Sequence, residues 1–185
     1  MAPPTVAVLV GSIRKDSFNR KIALALKALA RGKLDLALVD IAGVSFFNQD
    51  LEGAPPADWV RLRAAIKSAD AVLFVTPEYN RSVPGVLKNA VDVASRPYGQ
   101  SVFDGKPAAI ISASPGAIGA FGANHHLRQM LTFLNMPALQ QPEMYLNHVG
   151  DWFDEAGNLK NEEARKLLEK FVGAFAKWVE THAGA

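Results

Sequence analysis

The chain has 185 residues, 49% of them hydrophobic, which is enough for one domain with its own core, and we expect residues 1–185 to form a single domain. The formal net charge of +2 argues against a nucleic-acid-binding protein, and zero cysteines exclude disulfides, thiolate nucleophiles and sulfur-ligated metals. No apolar stretch approaches the roughly 20 residues that cross a bilayer, and the N-terminus lacks a signal-peptide pattern, so we expect a cytoplasmic protein without a membrane span. Because the chain has no cysteine, any redox role must be carried by a bound cofactor.

Five strands are predicted, because apolar runs alternate with segments of helical period in the way that is typical of a parallel sheet covered on both faces. In chain order they are Val6–Val10, Leu34–Val39, Ala71–Val75, Ala108–Ala113 and a weaker strand near Ala138. Helices are predicted from Ser17 to before Gly32, around Leu62 and Ile66, within Val86–Ser95, over His126–Leu134, and from a cap at Asn161 with Leu167 and Leu168 facing inward. The pattern predicts an α/β, doubly wound fold.

The loop after the first predicted strand is the most informative segment, since it joins an apolar run to a helical one. Gly11 permits a tight turn, and Arg14 supplies a positive charge. Short polar side chains stand beside them, namely Ser12, Ser17 and Asn19. The next helix directs unpaired N–H groups at the same point, so we expect a phosphate to bind there. The loop is equally consistent with an ordinary turn in which Ser17 caps the helix.

Two common nucleotide motifs are missing from this loop. It contains neither G-x-x-x-x-G-K-[ST], which cradles a nucleoside triphosphate, nor G-x-G-x-x-G, which binds a dinucleotide pyrophosphate. Hydroxyls and one arginine suit a terminal monophosphate instead. Flavin mononucleotide (FMN), bound as in the flavodoxin-like version of the fold, is therefore the leading ligand.

Two more loops of unusual composition follow the third and fourth predicted strands. Residues 76–85 contain two prolines, an aromatic ring, a carboxylate and an amide, and residues 112–122 contain three glycines. Proline stiffens a loop, and glycine lets the backbone lie close to a flat ligand. Each loop alone is consistent with a plain connection. Because the carboxyl ends of parallel strands meet at one edge of the sheet, the three loops together predict a ligand site there.

Three motifs carry a resemblance to a known family: Gly11-Ser12-x-Arg14-x-x-Ser17-x-Asn19, Thr76-Pro77-Glu78-Tyr79-Asn80-x-Ser82-x-Pro84-Gly85-x-Leu87-Lys88-Asn89-Ala90-x-Asp92 and Ser114-x-Gly116-x-x-Gly119. Over nearly its whole length the chain resembles the NADPH-dependent FMN reductases, most closely their chromate and quinone reductase branch. The resemblance implies a flavodoxin-like, five-stranded parallel sheet in the order 2-1-3-4-5 and one non-covalent FMN. It also implies ping-pong, two-electron reduction of quinones by NADH or NADPH, with chromate, free flavins and azo compounds as further acceptors.

The resemblance also implies roles for individual residues. The FMN phosphate would be bound by Ser12, Arg14, Ser17 and Asn19. The isoalloxazine ring would be bordered by Pro77, Glu78, Tyr79, Asn80 and Ser82, with Ser114 and Gly116 in the loop opposite. The chemistry would take place at flavin N5, so no residue is expected to act as a catalytic acid or base. The chain departs from the family at Ala120, where relatives often have another glycine.

The family usually assembles as dimers or tetramers, which implies a homodimer or homotetramer here. The resemblance suggests that Tyr79, Arg128 and Glu143 link the subunits through charged hydrogen bonds. The alternative for Arg128 is an exposed helix residue that pairs locally, an interaction worth roughly 0.3 to 0.5 kcal/mol.

Other interpretations have less support. His125 and His126 are adjacent, so their side chains diverge by about 100° on a helix and cannot share a metal ion as residues i and i+4 do; we interpret both as structural. The acidic run 151–157 lacks the spacing of an EF-hand, and no G-x-S-x-G elbow supports a hydrolase. The main alternative is a flavodoxin-like electron carrier, or an FMN-binding sensor without efficient NAD(P)H turnover. Such carriers commonly present an acidic face, whereas this chain is slightly basic.

Overall fold

A parallel sheet forms the centre of the protein. The structure, a computed structural model, describes residues 2–183. Its strands are β1 (Thr5–Val10), β2 (Asp35–Val39), β3 (Ala71–Thr76), β4 (Ala108–Ala113) and β5 (Met144–Leu146). They pair in parallel in the order β2-β1-β3-β4-β5, which confirms the predicted doubly wound, flavodoxin-like topology.

Helices cover both faces of this sheet. Within the described residues they are α1 (Phe18–Leu29), α2 (Ala57–Lys67), α3 (Gly85–Ala94), α4 (Phe121–Phe133) and α5 (Glu162–His182). Helices α1 and α5 pack against one face of β1, on Val6 and Val8, while α2, α3 and α4 pack on the other, which carries Ala7 and Leu9. Because both faces are covered, β3 and β4 are buried along their whole length. None of the helices in residues 2–183 combines the length and apolarity that crossing a bilayer requires.

The predicted position of the fifth strand, near Ala138, is wrong. The chain does lie beside β4 there, since the Ala108 N–H donates to the Pro137 carbonyl at 3.0 Å and the Leu139 N–H donates to the Ala108 carbonyl at 2.8 Å. Ala138 forms only an isolated bridge with Ala108, and the chain leaves the sheet until β5 pairs with the second half of β4. Pro137 has no N–H to continue a ladder, which explains why this apolar run does not become a strand.

The helix ends agree with the predicted caps, with two differences elsewhere. The side-chain oxygens of Ser17 and Asn161 accept bonds from the backbone N–H three residues ahead, at 3.2 and 2.9 Å. Helix α4 begins at Phe121 rather than at the predicted His126. Leu167, expected to face inward, is 37% exposed, so the apolar stripe of α5 is narrower than predicted.

Candidate active site

The loop after β1 lies directly against the end of β3. The Gly11 N–H donates to the Val75 carbonyl at 2.9 Å. A Cβ at Gly11 would lie 2.9 Å from Thr76 Oγ1 and 3.0 Å from Leu87 Cδ2. A side chain here would force the side chains of Thr76 or Leu87 to shift, so glycine favours this close approach. The loops after β1 and β3 are therefore neighbours at the carboxyl edge of the sheet.

The loop after β1 has several backbone N–H groups without acceptors, which is a feature of anion sites. Within residues 2–183, no backbone or side-chain acceptor receives a bond from the N–H groups of residues 12–16. Ser12 is half-buried, and the Ser17 hydroxyl caps α1. The exposed Arg14 guanidinium donates to the Asp16 carbonyl at 2.5 Å. Free N–H groups next to a helix N-terminus and a guanidinium can attract a phosphate, so the Ser17 cap leaves these groups available to an anion.

Asn19 provides the clearest test of whether FMN fits. Its side chain is buried, and Nδ2 donates to the Ala113 carbonyl at 3.3 Å, which links α1 to the end of β4. Its Oδ1 is buried without a hydrogen-bond partner. A buried acceptor without a donor is unfavourable, and a hydroxyl of a ligand such as the ribityl chain of FMN would satisfy it. The residues present therefore fit the group that the sequence predicts.

The loop after β3 is folded into a tight turn. Tyr79 and Ser82 exchange two backbone hydrogen bonds, at 2.9 and 3.0 Å. Between them, Asn80 and Arg81 both have left-handed φ angles, of 51° and 64°. This is the geometry of a type I′ turn, which is unusual for an arginine. The turn leaves Tyr79 54% exposed at the carboxyl edge of the sheet.

Glu78 ties this turn to α4. Its Oε2 accepts a bond from the Ala123 N–H at 3.1 Å, and its Oε1 pairs with Arg81 at 3.2 Å. The contact is close, because a Cβ at Gly122 would lie 2.9 Å from Glu78 Oε2 and from the Arg81 carbonyl. A carboxylate at a helix N-terminus is also favoured by the helix dipole. The loop after β3 and the start of α4 therefore form one connected wall.

The loop after β4 contains two consecutive left-handed residues, Gly119 and Ala120, with φ angles of 62° and 58°. A Cβ at Gly119 would lie 2.6 Å from the Tyr145 carbonyl carbon, so only glycine fits. Ala120, the departure from the family motif, adopts the glycine-like conformation and is buried. At the start of the loop, the Ser114 hydroxyl donates to the exposed Gly116 carbonyl at 3.2 Å.

Of the three suggested subunit contacts, Arg128 and Glu143 share a neighbour, Tyr145, within the single chain. Arg128 Nε donates to Asn124 Oδ1 at 3.1 Å, and its Nη1 donates to the Leu139 carbonyl at 3.3 Å. Burial raises the pKa of the Tyr145 phenol; nearby Glu143 raises it further, and Arg128 lowers it. Arg128 and Glu143 therefore both lie near Tyr145. Among the described residues, no hydrogen bond or ion pair joins either of them to Tyr79, which belongs to the turn after β3.

Three polar residues position the site although the sequence analysis gave them no such role. Buried Asn124 donates to Ser112 Oγ at 3.2 Å, next to the loop after β4. Asn89 accepts from the Phe47 N–H at 2.8 Å and fixes the loop after β2 to α3. His126 lies 2.9 Å from Ser82 Oγ, while His125 lies 3.0 Å from the Tyr145 hydroxyl, so the two histidines do diverge. Both asparagines occupy positions where the helix is otherwise apolar, and this is the pattern in the sequence that could have indicated their structural role.

Comparison with known proteins agrees with this geometry. A family model described as NADPH-dependent FMN reductase matches residues 4–151, most of the chain. The chain belongs to this family. The enzyme is therefore an oxidoreductase that uses FMN together with NADH or NADPH. When bound, FMN supplies the two-electron chemistry, and the protein supplies binding and orientation.

Individual relatives are similar over almost their whole length. The enzyme is 56% identical to a quinone reductase of Pseudomonas putida over 177 residues, 95% of each chain. It is 48% identical to a 2-hydroxy-1,4-benzoquinone reductase of a Burkholderia species over 174 residues, 94% of this chain and 95% of that one. Among solved structures, the FerB flavoenzyme NAD(P)H:(acceptor) oxidoreductase of Paracoccus denitrificans is 44% identical, with a TM-score of 0.91 over 97% of this chain and 98% of that one.

Proposed function

We propose that the enzyme reduces quinones with electrons from NADH or NADPH, in a ping-pong reaction through FMN bound at the carboxyl edge of the sheet. Two similar proteins are named as reductases of quinones, which supports this acceptor class. Free flavins, azo compounds and chromate need only the same reduced flavin and an open ring face, so we propose them as secondary acceptors. The reductants are metabolites of the cytoplasm, where we propose that the chain acts as a single FMN-binding domain.

One observation carries the proposal: the loop with free N–H groups at residues 12–16 leads directly into the helix that holds Asn19, whose buried Oδ1 has no partner among the described residues. We propose that the FMN phosphate accepts hydrogen bonds from Ser12, Arg14, Ser17 and the amide N–H groups of Asn19, while a ribityl hydroxyl donates to Asn19 Oδ1. The ring would then be bordered by Pro77, Glu78, Tyr79, Asn80 and Ser82, with Ser114 and Gly116 opposite. Backbone N–H groups in the loop after β4 are suitable donors for the negative charge of the reduced ring.

No side chain is assigned as a catalytic acid or base. Glu78 is engaged with the Ala123 N–H and with Arg81, and the Ser82 hydroxyl is engaged with His126. These groups hold the walls of the site. The proton that completes a quinol can come from water at an open site, which would leave the protein to bind and orient the reactants.

The proposal is tested by the absorption spectrum of the purified protein after incubation with FMN and desalting, followed by anaerobic NADPH and then a benzoquinone. Retained flavin bands that bleach with NADPH and return with the quinone would support it. Retained bands that do not bleach would instead indicate an electron carrier or a sensor. Bands that bleach and do not return with any quinone would overturn the proposed acceptor, and failure to retain FMN would overturn the proposed site.

We also propose that the enzyme is a homodimer or homotetramer whose subunits contact each other through Tyr79, Arg128 and Glu143. Tyr79 is exposed, and Arg128 uses only two of its five N–H donors within the chain. Light scattering should show a smaller assembly for Arg128→Ala than for the parent. The exposed Arg31→Ala variant serves as the control, and an unchanged size for Arg128→Ala would contradict this contact.

A further inference from the structure

A cavity adjoins the loop proposed to bind the FMN phosphate, and it shares Ser12 and Arg14 with that site. It has a volume of about 440 Å³ and opens between the loop after β1 and the carboxyl end of β2. Its polar lining includes Arg14, Lys15, Arg20 and Asp40, and its apolar lining includes Leu38 and Ile41. The size and the mixture of an apolar wall with a few charged groups are typical of a site for part of a nucleotide.

The charges around this cavity are not matched by partners in the chain. Within residues 2–183, ion pairs join Arg81 to Glu78, Lys88 to Asp92 and Arg165 to Glu162; none involves Lys15 or Arg20. Both cationic side chains are exposed, and neither donates a side-chain hydrogen bond to a described residue. The carboxylate of Asp40 accepts a bond from the Ala42 N–H at 2.9 Å through Oδ1, and its second oxygen has no donor among these residues. The cavity therefore offers both free cations and a free carboxylate oxygen.

The cavity is displaced from the proposed ring site but within reach of it. It lies above β1 and β2, whereas the loops proposed to border the ring follow β3 and β4. Neighbouring strands are about 4.8 Å apart, so the two places are separated by about 10 Å across the sheet. A dinucleotide can extend over that distance, with one end at the ring and the other in the cavity.

In doubly wound folds whose first turn binds a dinucleotide pyrophosphate, the groups that recognise the adenosine ribose follow β2; the first turn of this chain lacks that motif, so the comparison concerns only the chemistry of the groups after β2. A carboxylate there accepts hydrogen bonds from the ribose hydroxyls of NAD, and a nearby cation accommodates the 2′-phosphate of NADP. Asp40 directly follows β2, and Lys15 and Arg20 face the same cavity. This chain places both kinds of group together.

We propose that this cavity binds the adenosine ribose of the nicotinamide dinucleotide. Asp40 accepts a hydrogen bond from the 2′-hydroxyl of NADH, whereas Lys15 and Arg20 bind the 2′-phosphate of NADPH. The apolar side chains of Leu38 and Ile41 form the wall for the adenine. This assignment rests on the FMN placement proposed above, and it gives one enzyme the means to bind both reductants.

The test uses protein loaded with FMN, so that the phosphate site is occupied. Calorimetry measures the binding of two ligands that differ only in the 2′-phosphate, adenosine 2′,5′-bisphosphate and adenosine 5′-monophosphate. The absorbance of the same samples shows whether FMN is retained. The variants are Lys15→Gln, Arg20→Gln and Asp40→Ala. The control is Lys27→Gln, which removes the same charge at the other end of α1.

We expect Lys15→Gln and Arg20→Gln each to raise the Kd of the bisphosphate by about tenfold, as for the loss of one charged hydrogen bond. The Kd of the monophosphate should stay within about twofold of the parent value. Asp40→Ala should weaken binding of the monophosphate and not of the bisphosphate. The KM for NADPH should rise in Lys15→Gln and Arg20→Gln, and the KM for NADH should rise in Asp40→Ala. Lys27→Gln should match the parent. Equal binding by all variants, no binding to the FMN-loaded protein, or displacement of FMN by the bisphosphate would each overturn the assignment. Protein that never retains FMN would contradict the proposed function instead.

Discussion

The Glu78 carboxylate and the Ala123 N–H, 45 residues apart in the chain, are joined by a hydrogen bond of 3.1 Å. This bond fixes the turn after β3 against the first turn of α4, where no side chain of the helix itself provides a cap. The same carboxylate pairs with Arg81 and so also holds the strained tip of the turn. One side chain therefore connects the turn after β3 to the helix that follows the loop after β4.

Glu78→Gln should loosen this wall. The amide removes the charge that favours the helix N-terminus and the pair with Arg81, so we expect the free energy of unfolding to fall by about 1 to 2 kcal/mol. FMN affinity, measured by quenching of flavin fluorescence, should fall with it. The exposed Glu169→Gln serves as a charge-matched control in denaturant unfolding. Equal stability and FMN affinity for the two variants would show that the bond is dispensable.

Gly119→Ala should be much more harmful than Gly116→Ala. At Gly119 the new Cβ would be 2.6 Å from the Tyr145 backbone at a φ of 62°, whereas at Gly116 the nearest atom is 3.8 Å away. A left-handed alanine and a backbone clash together should cost about 2 to 5 kcal/mol, measured by denaturant unfolding of the FMN-free protein. A similar midpoint for the two variants would mean that the loop after β4 can rearrange.

Asn19→Asp should weaken FMN binding specifically. The substitution keeps the shape of the side chain, but it replaces the donor to the Ala113 carbonyl and adds a negative charge at the proposed phosphate site. We expect the Kd for FMN to rise by about tenfold to 100-fold at neutral pH. Asn48→Asp adds the same charge at a cap where aspartate is well accepted, and it should leave the Kd unchanged. An unaltered Kd for Asn19→Asp would place the phosphate elsewhere.

Asp58 should contribute stability that is lost in acid. The Ser45 N–H and hydroxyl both donate to its carboxylate, and these bonds hold the pKa of Asp58 below the usual 3.8. Because the folded pKa is lower than the unfolded one, the stabilisation is complete above pH 3.8 and disappears as the pH falls through the folded value. The stability difference between the parent and Asp58→Asn should therefore be constant near neutral pH and shrink below about pH 4. A difference that does not change with pH would rule out this role.

Local features of the chain were predicted well from the sequence. β1, β3 and β4 are strands of six residues of which five are apolar, and polar caps mark the starts of α1 and α5. β5 could not be placed, because a strand of three residues carries almost no pattern and the apolar run around Pro137 imitates one. The start of α4 was missed for a related reason: its cap is a left-handed Ala120 without a side-chain acceptor.

The candidate site was predicted as a set of loops and not as a set of contacts. Motif spacing brought Asn19, Glu78 and Ser82 to one edge of the sheet, but it could not assign Asn19 to the Ala113 carbonyl or Glu78 to α4. Such bonds join segments that are far apart in sequence and depend on how the loops pack. The cavity beside Asp40 was missed for the same reason, since its charged residues lie on two separate segments.

The interrupted edge of the sheet at β5 bears on how the protein should behave at high concentration. An exposed edge strand can recruit a strand of another molecule when it offers a long, flat row of free N–H and C=O groups. Here the outer partner of β4 is divided into a contact at residues 137–139 and a strand of only three residues, Met144–Leu146. A foreign strand would find no continuous ladder to extend, so this edge should resist amyloid-like stacking even at high protein concentration.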